Sequence, residues 1–372
     1  MQFKDVIGQE ELKSHLIQEI RNDKVSHAQL YLGKPGYGGL PMALAFVQYL
    51  FCENKQAKDS CGECPSCKKV TELQHPDLHF SFPVVQAIDK KSDFFLPQWR
   101  EQIKKTAYFD LNDWLNEIDE KGRKPIIGTD ESQEIIKKLS LKSYEGGYKV
   151  MVIWMAEEMN ATCSNKLLKI LEEPPAKTLF LLICDSQEYL LQTILSRTQI
   201  VKVPRLRVDE ISNHIKVKFN LSPEAANSIG ARSEGDYIET LDVLSNNHEH
   251  DENREVFIQL MRVCFKKNVI EMMEWAEKTA SLSKEKQKIF LKYALHMFRQ
   301  SIIKNYTEDQ LTRVSDEEAQ FLKNFSKFIT GNNILDFSQT FNDAHYHVER
   351  NANSKILFTN ICFKVMRYIH VA

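Results

Sequence analysis

The sequence predicts an α/β fold in which a parallel sheet is covered by helices on both faces, followed by helices to the end of the chain. Five short runs have the composition of strands: Gln29–Leu32, Leu78–Phe82, Lys149–Trp154, Thr178–Cys184 and Gln199–Val203. A helical stretch, Met42–Phe51, follows the first run, and the helix Ser164–Glu173 ends before Pro174 and Pro175. Strands that alternate with helices favour a parallel sheet.

The composition is that of a soluble globular protein with two or three domains. The chain has 372 residues, of which 42% are hydrophobic and 27% charged. Its net charge of −2 predicts no strong binding to DNA through bulk charge. It has no apolar run long enough to cross a membrane and no apolar core of a signal peptide at its N-terminus. We therefore expect a cytoplasmic protein with reduced cysteines.

Three parts are predicted along the chain. Residues 1–204 form the α/β domain and include a cysteine-rich segment at 52–67. Residues 205–248 form a small helical lid, and residues 249–372 form a helical domain. The polar tract Ser245–Asn253 is interpreted as a linker between the last two parts.

Two regions carry no predicted chemistry. The polar and aromatic segment 84–123 is interpreted as an insertion with helical character and no assigned role. In the last part, apolar residues recur at helical spacing and predict the core of a bundle. These residues are Val256, Leu260 and Val263, then Phe290, Tyr293, Ala294 and Met297.

A glycine cluster lies between the first strand and the following helix, where a phosphate-binding loop is expected. The candidate loop residues are Gly33, Gly36, Gly38, Gly39 and Leu40. Gly33 and Gly38 match the pattern G-x-x-x-x-G-K-[ST], but Gly39 replaces its lysine and Leu40 its hydroxyl residue. Lys34 is at the wrong end of the loop to replace the missing lysine. The cluster is thus a degenerate phosphate loop or a simple glycine turn.

The second nucleotide motif is also disabled. An ATPase needs an Asp-Glu pair at the end of the third strand, to hold Mg²⁺ and to activate water. Here the strand is expected to end at Ile153, and the two positions hold Trp154 and Met155, which can do neither. Glu157 and Glu158 follow and are expected to face outward. We therefore expect no ATP hydrolysis by this chain.

Four cysteines form the pattern C-x₈-C-x₂-C-x₂-C, namely Cys52, Cys61, Cys64 and Cys67. Two C-x₂-C pairs bring thiolates from one turn to one metal, and four thiolates suit tetrahedral Zn²⁺. Because protein fills all four positions, the predicted zinc site is structural. Free buried thiols and an iron–sulfur cluster are the alternatives. The other four cysteines lie in apolar contexts and are expected in the core.

The order of motifs along the chain resembles the clamp-loader branch of AAA+ proteins. The resemblance covers about residues 1–245 well. The C-terminal part fits more loosely, chiefly through the run ERNANSKILF (Glu349–Phe358). The run LLKILEEPP is very specific to that branch. The motifs are VIGQEELK (Val6–Lys13), SHAQLYLG (Ser26–Gly33), the four cysteines, HPDLHF (His75–Phe80), KVMVIW, NKLLKILEEPPAKTLFLL (Asn165–Leu182) and LSRTQIVKVPRL (Leu195–Leu206).

The resemblance implies a RecA-like AAA+ domain with an inserted zinc knuckle, a helical lid and an all-α collar domain. Within the branch, intact loops belong to motor subunits, and a degenerate loop beside an intact Ser-Arg pair is similar to a subunit without ATPase chemistry. The implied role is a stator in the clamp loader of the bacterial DNA polymerase III holoenzyme. The implied partners are motor (gamma/tau) and delta subunits, the sliding clamp, and primed DNA through the assembly.

The Ser-Arg pair is Ser196-Arg197, followed by Thr198 where the family usually has cysteine. In this family the arginine reaches into the ATP site of a neighbouring subunit. A guanidinium is always charged and planar, and it can stabilise the charge that develops during phosphoryl transfer. We therefore expect Arg197 to act as an arginine finger in trans. The alternative is a surface arginine paired with a carboxylate.

The remaining family positions also indicate loss of catalysis. The polar sensor expected after the fourth strand falls near Cys184 and Asp185, and the usual lid arginine falls near Ile238. An anion is a poor neighbour for phosphate, and an apolar residue cannot bind it. His75-Pro76-Asp77 is interpreted as a turn that enters a strand rather than a catalytic pair, and His27 as a structural residue.

Two other functions remain open from the sequence. One is an active clamp-loader ATPase with an atypical phosphate loop, which would show Mg²⁺-dependent turnover by itself. The other is a zinc-dependent nucleic-acid-binding module outside replication, which predicts binding to DNA with a steep dependence on salt. The near-neutral charge and the long helical C-terminal part argue against the second function.

Overall fold

The computed structural model describes residues 1–119, 121–245, 247–307, 314, 316–350 and 352–371. The chain forms two compact units, Met1–Leu241 and Asp242–Ala372. Residues 205–241 therefore group with the sheet in the first unit. A division into three domains at residues 204 and 248 stays a prediction.

The first unit contains a five-stranded parallel sheet, which confirms the predicted α/β core. Its strands lie in the order β2-β3-β4-β1-β5, and every pair is parallel. The two central strands β3 and β4 are buried at every position, because helices cover both faces. The strands are β1 (Ala28–Leu32), β2 (Leu78–Ser81), β3 (Lys149–Trp154), β4 (Thr178–Cys184) and β5 (Gln199–Lys202).

Helices of the first unit precede β1, lie between later strands and follow β5. The helix α2 is apolar all round and buried from Gly39 to Leu50, as expected for a helix inside a domain. The helix α7 ends at Glu172, two residues before Pro174. The helices are α1 (Glu10–Arg21), α2 (Gly39–Phe51), α3 (Pro65–Thr71), α4 (Leu96–Lys105), α5 (Leu111–Ile118), α6 (Thr129–Ser140), α7 (Ala161–Glu172), α8 (Gln192–Leu195), α9 (Val208–Phe219), α10 (Pro223–Arg232) and α11 (Tyr237–Ser245).

Each face of the sheet packs against its own hydrophobic core, as the alternating side chains of β3 show. Val150 and Val152 belong to the core that contains α2, whereas Met151 and Ile153 belong to the core that contains α7. This alternation follows from the two-residue period of a strand.

The segment 84–123 is helical, as expected, and forms part of the core. Its helices α4 and α5 bring Trp99 and Trp114 together at a ring distance of 5.2 Å. Trp99 also lies 4.3 Å from the ring of Phe82 and 5.3 Å from that of Trp154. Phe109, between the two helices, lies 4.9 Å from Trp154. The segment therefore packs against the carboxyl end of β3.

The second unit is helical in all its described elements. Of the residues that predicted a bundle core, Val256 is partly buried and the others are buried, so the prediction is confirmed. No described helix combines the length and the low polarity that crossing a membrane would require. The helices are α12 (Asn247–Lys266), α13 (Val269–Ala280), α14 (Lys284–Tyr306), α15 (Asp316–Phe325), α16 (Ile334–Glu349) and α17 (Ser354–Val371).

The interpretation of Ser245–Asn253 as a linker is wrong for most of the tract. Asn247–Asn253 form the first two turns of α12, and Asn246 lies outside the described residues. A polar run can begin a helix when residues further along it are buried. Phe257 and Leu260 supply that burial in α12.

Candidate functional site

The glycine cluster has the backbone path expected for a phosphate loop. Strand β1 ends at Leu32, a short 3₁₀ turn spans Pro35–Tyr37, and α2 begins at Gly39. Gly38 joins the turn to the helix with a φ of +96°, a conformation that favours glycine. The positive end of the α2 dipole therefore faces the loop, but the side chain of Leu40 is buried.

Protein atoms occupy the space in front of this loop. The Tyr108 hydroxyl lies 3.1 Å from the position that a Cβ atom on Gly38 would take. Tyr108 is buried, and burial raises the pKa of its hydroxyl. A Cβ on Gly36 would likewise overlap the carboxylate of Asp236. Two segments that are distant in the chain thus pack against the loop.

The space that remains is smaller than a nucleotide. The cavity beside the loop has a volume of about 10 Å³, roughly that of one water molecule. Apart from Asp185 and backbone groups its walls are mainly apolar. They include Leu40, Ala107, Phe109, Trp154, Met155 and Ile183.

The end of β3 lacks groups that could bind a metal or accept a proton. The strand ends at Trp154, one residue later than expected, because Trp154 still pairs with Ile183 of β4. Its side chain is buried, 5.3 Å from the ring of Trp99. Met155 follows with a φ of 53°, in the left-handed region. Its side chain is also buried, so neither position offers a carboxylate.

The expectation that Glu157 faces outward is wrong. Its Oε1 accepts a hydrogen bond of 2.7 Å from the backbone N–H of Asp185, and its Oε2 is buried without a partner among the described residues. Burial raises the pKa of this carboxyl. The left-handed turn at Met155 directs the chain back against the end of β4. Glu158 is partly buried, 3.7 Å from Lys124.

The two expected sensor positions lie near the loop without nucleotide-binding chemistry. Cys184 is buried, its thiol donates to the carbonyl of Ser186, and burial raises its pKa. Ile238 follows Asp236, whose Oδ1 accepts from the Ile238 backbone N–H at 3.0 Å. Burial raises the pKa of the Asp236 carboxyl.

Arg197 follows the end of α8 at Leu195 by two residues, and its side chain is 31% exposed. Nε and Nη2 donate to Oε2 of Glu172 at 3.3 and 3.1 Å. Nη1 donates to the backbone carbonyl of Thr193 at 3.0 Å, and it lies 3.4 Å from the hydroxyl of Ser196. The guanidinium is therefore held at the surface in a defined orientation.

The four cysteines of the metal pattern come together after α2. Their sulfur atoms all lie within 4.8 Å of one another, so Cys52, Cys61, Cys64 and Cys67 could hold a metal ion. Backbone N–H groups of Cys61, Cys64 and Cys67 donate to the sulfurs of the cluster at 3.3–3.4 Å. The N–H of Cys64 is the first of the backbone donors that lower the pKa of the Cys61 thiol to about 6. Such donors stabilise the thiolate of Cys61, the form that binds metal, whereas burial raises the pKa of the Cys52 and Cys67 thiols.

A histidine network connects this cluster to the sheet. Nδ1 of the buried His75 accepts from the backbone N–H of Asp77, which places the proton of a neutral ring on Nε2. Nε2 lies 3.0 Å from Glu145 and 3.3 Å from the hydroxyl of Ser66 in α3. Since Nε2 carries the proton and faces both Ser66 and Glu145, His75 has no free nitrogen with which to accept a proton from the Ser66 hydroxyl. The contacts tie α3 to the loop before β3.

His27 and the remaining cysteines have structural surroundings, as expected. The ring of His27 contacts the carbonyl of Leu171 at 3.0 Å. Cys163, Cys264 and Cys362 are buried.

Sequence reasoning missed Tyr108, Asp236 and Glu172. Tyr108 and Asp236 are far from the phosphate loop in the sequence and come close to it only in the tertiary structure. Glu172 stands in the LLKILEEPP run, which signalled a family resemblance but not a contact with Arg197.

Residues 8–207 match the family model described as "DNA polymerase III, delta subunit". Two curated relatives are DNA polymerase III subunits delta'. The one from Bacillus subtilis is 30% identical over 248 residues, which cover 67% of this chain and 62% of the relative. The one from Yersinia pestis is 33% identical over 171 residues, which cover 46% of this chain and 39% of the relative.

A subunit tau/gamma of DNA polymerase III from Haemophilus influenzae is also similar, with 27% identity over 213 residues. That alignment covers 57% of this chain and 25% of the relative. The chain thus spans less than two thirds of the length of each of these relatives.

Proposed function

This chain belongs to the DNA polymerase III delta' subunit family, and we propose that it is a non-catalytic stator of the replicative clamp loader. In this proposal it completes the ATP site of a neighbouring subunit and hydrolyses no ATP itself. The assembly uses that ATP to place a sliding clamp on primed DNA.

The main support for this proposal is that protein side chains fill the space in front of the phosphate loop. Tyr108 and Phe109 fill the space in front of the loop and leave a cavity of about 10 Å³. A triphosphate bound there would need those side chains to leave a buried position, and exposing a large apolar side chain costs about 1.5–3 kcal/mol. The absence of a loop lysine, and of carboxylates at Trp154 and Met155, supports the same conclusion.

Arg197 supports the second half of the proposal. It is partly exposed and charged, and it has N–H donors beyond those used by Glu172 and Thr193. A neighbouring subunit that presents the γ-phosphate of its ATP to this surface would receive a preoriented cation. In arginine-finger systems such a group accelerates hydrolysis by roughly 10³–10⁵-fold.

The cysteine cluster supports a structural zinc ion. Four thiolates complete a tetrahedral zinc shell without water, which leaves no position for a reactant. The His75 contacts would transmit the order of this module to the start of β3, where Val150 donates its backbone N–H to the carbonyl of Asp77 at 2.8 Å.

The partners follow from the family. We propose motor (gamma/tau) and delta subunits, with the sliding clamp and primed DNA bound through the assembly. The similarity to a tau/gamma subunit is compatible with a shared ancestry of motor and stator. An ATPase of its own with an atypical loop remains the alternative, and Lys34 would have to supply the missing charge.

The test is a paired ATPase assay with the wild type, Arg197→Ala and Arg205→Ala as an exposed-arginine control. Each protein is assayed alone and then with motor and delta subunits from the same genome, clamp and primed DNA. We expect no turnover alone, and stimulated turnover in the mixture that Arg197→Ala lowers and Arg205→Ala leaves unchanged. Mg²⁺-dependent ATP turnover by the isolated wild type would favour the alternative, in which this chain is itself a motor subunit. If the mixture with Arg197→Ala turns over ATP as fast as the mixture with the wild type, Arg197 is not an arginine finger.

A further inference from the structure

The Arg197 side chain has a specific anionic neighbour in its own chain. Oε2 of Glu172 accepts hydrogen bonds from both Nε and Nη2 of Arg197, at 3.3 and 3.1 Å. The carboxylate therefore contacts the Nε–Nη2 edge of the planar guanidinium, while the carbonyl of Thr193 accepts from Nη1 at 3.0 Å. Rotation of the guanidinium about its last side-chain bonds would break at least one of these contacts.

The local fold holds both contacts in place. Glu172 is the last residue of α7, and Pro174 and Pro175 prevent any continuation of that helix. Thr193 belongs to α8, which packs against α7 and ends just before the Ser196-Arg197 pair. The carboxylate and the carbonyl thus come from two adjoining helix ends rather than from free loops.

The geometry leaves part of the guanidinium available. An arginine has five N–H donors in a rigid fork. Glu172 uses the donor on Nε and one donor on Nη2, so the second donor on Nη2 has no partner among the described residues. Because Glu172 already fixes the Nε–Nη2 edge of the guanidinium, Arg197 loses less conformational entropy when its remaining N–H donors bind a phosphate.

We propose that Glu172 is the positioning residue of the arginine finger, and this proposal rests on the function proposed for Arg197. Its carboxylate orients the guanidinium so that the outer N–H donors face the γ-phosphate of a neighbouring subunit's ATP. Glu172 does not itself touch that phosphate in the proposal. It acts only through Arg197.

Stability of the fold does not explain the pair. The side chains of Glu172 and Arg197 are 58% and 31% exposed, and exposed ion pairs typically contribute little to folding. Removal of the carboxylate should therefore leave the free energy of unfolding almost unchanged. Its effect should appear in the reaction that Arg197 serves.

Glu173 provides a matched control. It is the next residue in the chain, has the same charge and is exposed, and no ion pair is seen for it among the described residues. Glu173→Gln removes one negative charge from the same helix end as Glu172→Gln. A difference between the two variants therefore isolates the contact with Arg197 from the general electrostatic effect.

The experiment measures ATP turnover by the complete assembly with clamp and primed DNA, containing wild type, Glu172→Gln, Glu173→Gln, Arg197→Ala or the double variant Glu172→Gln/Arg197→Ala. We expect Glu172→Gln to lower kcat about tenfold, less than Arg197→Ala does, because the finger is retained but misoriented. KM for ATP should stay unchanged, since the neighbouring subunit binds the nucleotide. Glu173→Gln should match the wild type.

The double variant decides whether Glu172 acts through Arg197. We expect it to have the kcat of Arg197→Ala alone. A further loss in the double variant would overturn the proposal, as would equal kcat values for Glu172→Gln and the wild type while Arg197→Ala is slow. A higher kcat for Glu172→Gln would also overturn it, because the carboxylate would then restrain the finger rather than position it for the reaction. If Arg197→Ala has no effect, the proposed function itself fails, and this inference fails with it.

Discussion

The Tyr108 hydroxyl accepts a hydrogen bond of 3.0 Å from the backbone N–H of Ile7, a residue 101 positions earlier in the chain. This bond joins the N-terminal segment to the insertion directly beside the phosphate loop. The Tyr108 ring also lies 4.9 Å from that of Tyr237, edge to face. Three distant segments therefore meet where a nucleotide would have to bind, and their packing can be tested by substitution.

Loss of the Tyr108 hydroxyl should destabilise the first unit. Tyr108→Phe leaves the buried N–H of Ile7 without its acceptor, and we expect unfolding to become easier by about 1–3 kcal/mol. Urea unfolding followed by tryptophan fluorescence measures this, since Trp99, Trp114 and Trp154 lie in the first unit. Tyr189→Phe is the control, because Tyr189 is 76% exposed. Equal midpoints for both variants would contradict the prediction.

Gly38 and Gly146 provide a comparison between crowding and backbone strain. Their φ angles are +96° and +75°, but only a Cβ on Gly38 would meet Tyr108, and nothing lies within 4 Å of a Cβ on Gly146. Both alanine variants should lose roughly 1 kcal/mol through the positive φ. Gly38→Ala should lose about 1–3 kcal/mol more through crowding. Similar urea midpoints for the two variants would show that the contact is unimportant.

Removal of the metal should loosen the cysteine-rich segment. Purified protein is expected to contain about one zinc ion per chain, and Cys61→Ser to contain much less, because one of four ligands is lost. Elemental analysis measures the metal, and hydrogen exchange of residues 52–72 measures the order. Cys163→Ala should keep its zinc, since Cys163 lies in the core. Zinc retained after Cys61→Ser, or iron in its place, would argue against this site.

His79 should make the first unit less stable in mild acid. Burial is the main cause that lowers its pKa from 6.5 to about 4, and Lys138 adds to the effect. A folded-state pKa below the unfolded value means that protonation favours the unfolded chain. Stability is therefore lost as the pH falls from about 6.5 towards 4.

The magnitude can be measured with His79→Gln. Between pH 7.5 and pH 5 the wild type should lose about 1 kcal/mol more than the variant, after allowance for partial exposure of the ring. Urea midpoints at the two pH values give the difference. The exposed His347 serves as control, and His347→Gln should keep the wild-type pH dependence. An unchanged pH dependence in His79→Gln would contradict the assigned cause.

Patterns local in the chain predicted much of the fold. Strand β4 and helix α7 agree with their predicted positions within three residues, because apolar strand runs and a helix stopped by prolines depend on neighbouring residues. The start of α12 was misassigned as a linker, because a polar first turn resembles a loop when burial comes later in the helix.

The cysteine cluster could likewise be predicted, since tight C-x₂-C spacing brings sulfurs together through local turns. Glu157 was misjudged because the left-handed turn at Met155 directs its carboxylate towards Asp185. A residue with positive φ has no reliable signal in the sequence unless it is glycine or asparagine.

By itself, the sequence determined the α/β class, the metal pattern and the loss of a lysine and carboxylates at the nucleotide positions. Each of these is a property of residue types at short spacing. Only the tertiary structure decided that Tyr108 and Asp236 close over the loop and that Glu172 holds Arg197. Those contacts join residues 25–200 positions apart, and their distances depend on how helices and strands pack rather than on local preference.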